Sequence, residues 1–161
     1  VPVEEEGAGS QGTGLVGLAA KFAAMKEEPL HHRVIVERSP IHGWGLFAKR
    51  PIRKHSLVIE YTGEIVGVTV ADNREQLYER LRLGGSCYLF SLSKDRIVDA
   101  TMRGTVARFI NHSTSPNCDS HVVTVGSDRH IVIIALRDIS AGEELTYDYK
   151  SVLFEFARDE E

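Results

Sequence analysis

The reading of this chain turns on residues 108–118, RFINHSTSPNC, and residues 142–149, GEELTYDY. In the first, Asn111 stands beside His112. An asparagine side chain both donates and accepts hydrogen bonds, which suits a zwitterionic ligand. In the second, Tyr147 and Tyr149 are separated by one residue. Taken singly, each feature has a plainer reading: a polar turn with a capping Asn, or aromatic rings packed in a core. Their meaning depends on what surrounds them.

Outward from these stretches the texture is one of short strands. RVIVE (33–37), LVIEYTGEIV (57–66), YLFSL (88–92) and RIVDA (96–100) are rich in β-branched and aromatic residues. Ser93, Lys94 and Asp95 separate the last two, which predicts a hairpin. HVVTV (121–125), then GSDR, then HIVIIAL (130–136) predict a second. One helix interrupts the series. Asp72 and Glu75 have capping-box spacing, after which Leu77 and Leu81 share a face with Tyr78 beside them. Residues 15–27 predict another helix, with Leu15, Leu18, Phe22 and Met25 on one side and Pro29 ending it. Residues 1–14 combine an acidic run with glycines and read as a disordered tail. No repeat recurs. The expected class is α+β, mainly β, with a helical flank at 15–32, the principal domain at 33–150 and a tail at 151–161.

A chain of 161 residues suffices for one domain with a real core. The net charge of −4 disfavours duplex nucleic acid as the main partner, because phosphate binding needs a basic surface. No direct nucleic-acid site is expected, and Lys49, Arg50, Arg53 and Lys54 read as a solvated loop. No apolar run approaches the roughly 18 residues of a membrane helix, so no membrane partner is expected. The acidic first residues lack the apolar core of a secretion signal. Cys87 and Cys118 have neither CxxC nor structural-zinc spacing, so an intracellular protein with no metal is expected. Gly12, Gly14 and Gly17 match GxGxxG, but the preceding EEEGAGSQ cannot be the buried strand that aims a helix at a pyrophosphate. Nucleotide binding there is rejected.

Together, RFINHSTSPNC and GEELTYDY resemble the two motifs that close the active site of SET-domain protein lysine methyltransferases. The resemblance runs from about Arg33 to Tyr149. It implies the SET fold, small curved sheets around a threaded, knot-like crossing of the two motifs, and S-adenosylmethionine as cofactor. Methyl transfer to a lysine needs an aligned sulfonium, exclusion of water, and a neutral amine whose unperturbed pKa is about 10.4. Aromatic walls desolvate the ammonium, which lowers its pKa, and their faces tolerate a methylated cation. By the same resemblance, His42, Gly43 and Trp44 in IHGWGLF (41–47) form a GxG turn at the cofactor, where a missing Cβ allows close approach. Arg108, Asn111 and His112 would contact it as well. Tyr88 would touch both cofactor and channel, and Tyr149 would be the main catalytic tyrosine. Tyr147 falls where the family has its phenylalanine/tyrosine switch, and Tyr61 and Phe90 would line the channel. The substrate amine is the nucleophile, so neither cysteine is read as catalytic.

RSPIHGWGLFAKR, LVIEYTGEIV, IVDATMRGTVARFINHS and HIVIIALRDISAGEELTYDYK look most like the trithorax/MLL branch. That likeness implies lysine 4 of histone H3 as target, a nuclear location and work within a multiprotein chromatin complex. Two features depart from members with a post-SET segment. Thr114 stands where those have a zinc-binding cysteine, and no CxC follows Tyr149. No post-SET zinc is therefore expected, and VLFEFARDEE, with Leu153, Phe154 and Phe156, is read as a substitute apolar lid. Two other readings stay open: a SET methylase of another histone or non-histone lysine, and a catalytically weak SET domain that binds peptides. Tyr149, Asn111 and His112 argue against the second.

Overall fold

A computed structural model of the chain describes residues 11–83 and 88–149. Helix α1, Gln11–Glu27, starts earlier than the apolar spacing predicts, inside the stretch read as tail. Gly12, Gly14 and Gly17 are therefore helical. A single turn, α2 (Leu30–Arg33), follows Pro29. Strand β1 (Val34–Arg38) then pairs antiparallel with β2 (Trp44–Ala48).

The run 57–66 does not form one strand. It divides into β3 (Leu57–Tyr61) and β4 (Glu64–Gly67), which belong to different sheets. The break has a steric cause at Gly63: the backbone of Asp99 and Ala100 occupies the space a Cβ would need. Only glycine permits that approach.

Strand β4 feeds directly into α3, Val68–Arg80, with Gly67 at the N-cap and no side-chain cap. Asp72 thus lies inside the helix, and the capping box expected from Asp72 and Glu75 does not form. The expected buried face is also corrected. Leu77 and Leu81 are exposed, whereas Ala71 and Tyr78, seven residues apart, face inward.

The two predicted hairpins are present. Strands β5 (Leu89–Ser91) and β6 (Arg96–Asp99) pair antiparallel, and with β4 they form a sheet of order β4-β6-β5. Strands β8 (Cys118–Val125) and β9 (Asp128–Ala135) form the other, with a turn at Gly126 and Ser127 tighter than the four residues predicted. Gly126 has φ 66°, which suits a two-residue hairpin. Strand β9 also pairs with β3. A 3₁₀ turn at Val106–Phe109 leads into β7 (Asn111–His112). There the two motifs cross, because β7 pairs in parallel with β10, Thr146–Tyr147. The chain just before β10 is tied to β2, with Leu145 N donating to Leu46 O at 2.7 Å and Ala48 N to Glu143 O at 2.9 Å.

The core lies beneath this crossing. Leu46, Ile59, Ile110, Ile131, Ile133, Ile139 and Leu145 are almost wholly buried. Burial of each such side chain contributes about 1.5–3 kcal/mol. Ile110 and Leu145 immediately precede β7 and β10, so the same packing that stabilises the domain sets the height of both motif strands.

Helix α1 covers the outer face of the β3-β9-β8 sheet. Phe22 and Met25 pack on Val132, with Leu57, Val123, Val125 and Ile134 around them. A buried carboxylate, Glu60, fixes the contact. It accepts from Lys26 Nζ at 2.6 Å and lies 2.6 Å from His130 Nδ1, whose ring stacks on Phe22 at 4.5 Å. Buried Arg33 adds donors to Met25 O and Val58 O. No described helix is long and apolar enough to cross a membrane.

Candidate active site

Three segments converge on the β7–β10 ladder: the turn at 42–45, the first motif and the second. Asn111 joins them. Its Nδ2 lies 3.2 Å from His42 O, 3.1 Å from Trp44 O and 2.8 Å from Glu144 Oε1. Three acceptors around one nitrogen fix which way the amide points. The amide nitrogen is therefore committed to holding the turn.

Glu144 is the residue that sequence reasoning passed over. Its carboxylate receives Asn111 and lies 2.7 Å from Ser39 Oγ, which in turn accepts from Ile41 N at 2.9 Å. A Cβ at Gly45 would overlap this carboxylate. Nothing local marks Glu144 out within GEEL, since its partners are distant in sequence. Gly43 differs from Gly45: it has φ 49° and open space where a Cβ would stand. The turn therefore presents bare backbone outward, beside the exposed His42 and Trp44. The Trp44 ring lies under the Arg38 guanidinium at 4.1 Å.

On the other side of Asn111 the rings form a chain. Tyr61 and Phe90 have centroids 5.1 Å apart, Phe90 and Tyr147 6.3 Å, Tyr147 and Tyr149 4.8 Å, and Tyr149 and His112 5.3 Å. Hydrogen bonds set their tilt. The Tyr149 hydroxyl donates to Ile110 O at 2.6 Å, and the Tyr61 hydroxyl to Tyr88 O at 3.2 Å. Tyr149 N donates to His112 Nδ1 at 3.1 Å, which puts the proton of a neutral imidazole on Nε2. Asp148 Oδ1 lies 3.6 Å from the same nitrogen.

Tyr88 and Arg108 meet at the edge of this group. The Arg108 guanidinium lies over the Tyr88 ring at 5.8 Å and the Phe109 ring at 4.8 Å. Its Nη1 donates to Ala100 O at 3.2 Å and Thr101 O at 2.9 Å.

Burial, with neighbouring phenols adding to it, pushes the Tyr61 and Tyr147 hydroxyls well above the ordinary tyrosine range. Both stay protonated at neutral pH. Burial likewise pushes the Cys118 thiol up to about 12, so it is no nucleophile. Cys87 lies outside the described residues, as does the tail at 150–161. Among the described residues, no group of three His, Cys, Asp or Glu side chains is placed to hold a metal. A cavity of about 850 Å³ borders the ring chain only at Tyr61, and neither His112 nor Tyr149 lines it.

The SET domain family model matches residues 43–150, from the GxG turn past the second motif. Curated relatives agree. The histone H3-lysine(4) N-trimethyltransferase ATX1 of Arabidopsis thaliana is 46% identical over 136 residues, which is 84% of this chain and 13% of the relative. The histone-lysine N-methyltransferase set1 of Dictyostelium discoideum is 52% identical over 118 residues, 73% of this chain and 8% of the relative. The H3 lysine-4 specific histone-lysine N-methyltransferase of Saccharomyces cerevisiae is 48% identical over 128 residues, 80% of this chain and 12% of the relative. This chain belongs to the SET-domain family. It spans roughly a tenth of the length of these three relatives.

Proposed function

We propose that this domain transfers a methyl group to a lysine side chain of a protein, lysine 4 of histone H3, with S-adenosylmethionine as methyl donor. The observation that carries the reading is the unbroken ring chain Tyr61–Phe90–Tyr147–Tyr149, joined through His112 to the turn held by Asn111. The target lysine follows the names of the relatives.

The chain's residues fit the donor. Gly43 offers open backbone, with His42 and Trp44 exposed beside it and Tyr88 and Arg108 at the rim. Asn111 and His112 complete that rim, Asn111 by holding the turn in place. The bound cofactor supplies an electrophilic methyl on a sulfonium. The aromatic walls keep water from the amine, which favours its neutral, nucleophilic form. Tyr61, Phe90 and Tyr147 wall the lysine channel, and the neutral hydroxyl oxygens of Tyr61 and Tyr147 can accept from an amine N–H, which leaves the amine lone pair to attack. The Tyr149 hydroxyl donates its proton to Ile110 O, so towards a methyl group held beside it its oxygen would act as an acceptor. Such stabilisation counts in the transition state and little in the ground state.

The relatives' names point to chromatin and so to the nucleus, and an exposed apolar stripe supports assembly with other proteins there. Val70, Leu77 and Leu81 lie on one side of α3 and just past its end.

The test is transfer of a labelled methyl to a histone H3 peptide, with calorimetry of the cofactor alongside. Wild-type protein should methylate lysine 4. Tyr149→Phe should lose at least about a hundredfold in rate with cofactor affinity nearly unchanged. A Tyr149→Phe enzyme near the wild-type rate would overturn the catalytic assignment. Absence of any methylated product would overturn the activity.

A further inference from the structure

Asp99 stands outside the ring chain, yet it is 2% exposed and fully engaged. We propose that the Asp99 carboxylate is a positioning residue that seats helix α3 against the turn at 99–101 and thereby fixes Tyr88 and Arg108. The proposal rests on the site described above.

The carboxylate gathers donors from two elements. From α3, Arg74 Nη1 lies 2.9 Å and the Tyr78 hydroxyl 2.7 Å from Oδ2. From the turn, Thr101 N donates to Oδ1 at 2.9 Å. A buried charge is tolerated only when its hydrogen bonds are complete, so these contacts hold or fail together. Arg74 is itself braced by Glu64 of β4, at 2.9 and 3.0 Å.

The turn passes this order on through its backbone. Ala100 N donates to Tyr88 O at 2.9 Å, the same carbonyl that receives the Tyr61 hydroxyl. Ala100 O and Thr101 O are the two acceptors of Arg108. From behind, Gly63 packs against the Asp99 carbonyl so closely that the turn cannot slip that way. A displacement of α3 therefore reaches Tyr88 and Arg108 through one carboxylate and one turn. Burial acts to raise the Asp99 carboxyl, but the bonds from Thr101, Tyr78 and Arg74 outweigh it and keep the group below the ordinary carboxylate range.

The variants Asp99→Asn and Tyr78→Phe test this. Val132→Ala, in the separate cluster under α1, serves as a control for lost stability. Asp99→Asn should weaken S-adenosylmethionine binding and raise its KM by about tenfold, with kcat changed less than about twofold. Amide exchange at Ala100 and Thr101 should quicken. Tyr78→Phe, which removes one hydroxyl, should show the same changes in smaller measure and decides the matter if Asp99→Asn does not fold. Val132→Ala should lower Tm without altering either constant. Cofactor affinity and Ala100 exchange in both Asp99→Asn and Tyr78→Phe no different from Val132→Ala would overturn the proposal. Wild-type protein that binds no S-adenosylmethionine would overturn the site reading instead, and the exchange measurement would still decide whether Asp99 holds the turn.

Discussion

Tyr147 and Gly45 show how much one atom counts at this site. The Tyr147 ring is buried between Phe90 and Tyr149, and in the proposed reaction its hydroxyl would take space that a methylated amine needs. Tyr147→Phe keeps the wall and removes the oxygen. Mass spectrometry of exhaustively methylated H3 peptide should then show a shift from mono- and dimethyl product towards trimethyl. An identical product distribution would remove Tyr147 from that role. At Gly45 a single added methyl group would push aside the Glu144 carboxylate that receives Asn111. Gly45→Ala should weaken cofactor binding at least about tenfold by calorimetry, with a smaller loss of Tm. At this scale the sequence was legible where a motif is contiguous. Asn111, His112, Tyr147 and Tyr149 stand out, whereas Glu144 and Asp99 act through partners far along the chain, and no short pattern marks them.

The elements show a different division. Strands β5, β6, β8 and β9 follow directly from β-branched runs broken by polar or glycine turns. Helix α3 does not. Val68, Thr69 and Val70 in its first turn favour strand, and that disguised its true start while Asp72 offered a false one. The two-residue strands β7 and β10 are too short for any periodicity to reveal. The division of 57–66 depended on tertiary contact at Gly63, which no strand pattern records. Gly63→Ala sets a Cβ against backbone that has no room to yield, so it should cost at least about 3 kcal/mol in denaturant unfolding. A loss under about 1 kcal/mol would mean that the turn at 99–101 can give way. Phe22→Ala empties the contact between α1 and the β3-β9-β8 sheet and also leaves the His130 ring without its stacking partner. Its expected cost is about 3–5 kcal/mol, with methyl transfer at low temperature near normal.

For the molecule as a whole, acid is the informative perturbant. Asp99 has a folded pKa below its unfolded value, so its contribution to stability is complete above about pH 4 and is lost as pH falls through the folded value. Thermal melts across that range should show Tm falling steadily with acid, and Asp99→Asn should flatten the fall. An unchanged slope would place the acid sensitivity elsewhere. The crossing of β7 and β10 bears on how the molecule comes together in time. Its two paired residues lie about thirty-five positions apart, a closure that costs about 3 kcal/mol in chain entropy before any constant is added. So short a ladder cannot repay that early. The β8–β9 hairpin lies inside the loop and shortens it once formed, so the hairpin should come first and the crossing late. During refolding, methyl-transfer competence should then return after the bulk of secondary structure, and a newly made domain would pass through an interval in which it is folded in outline but unable to react.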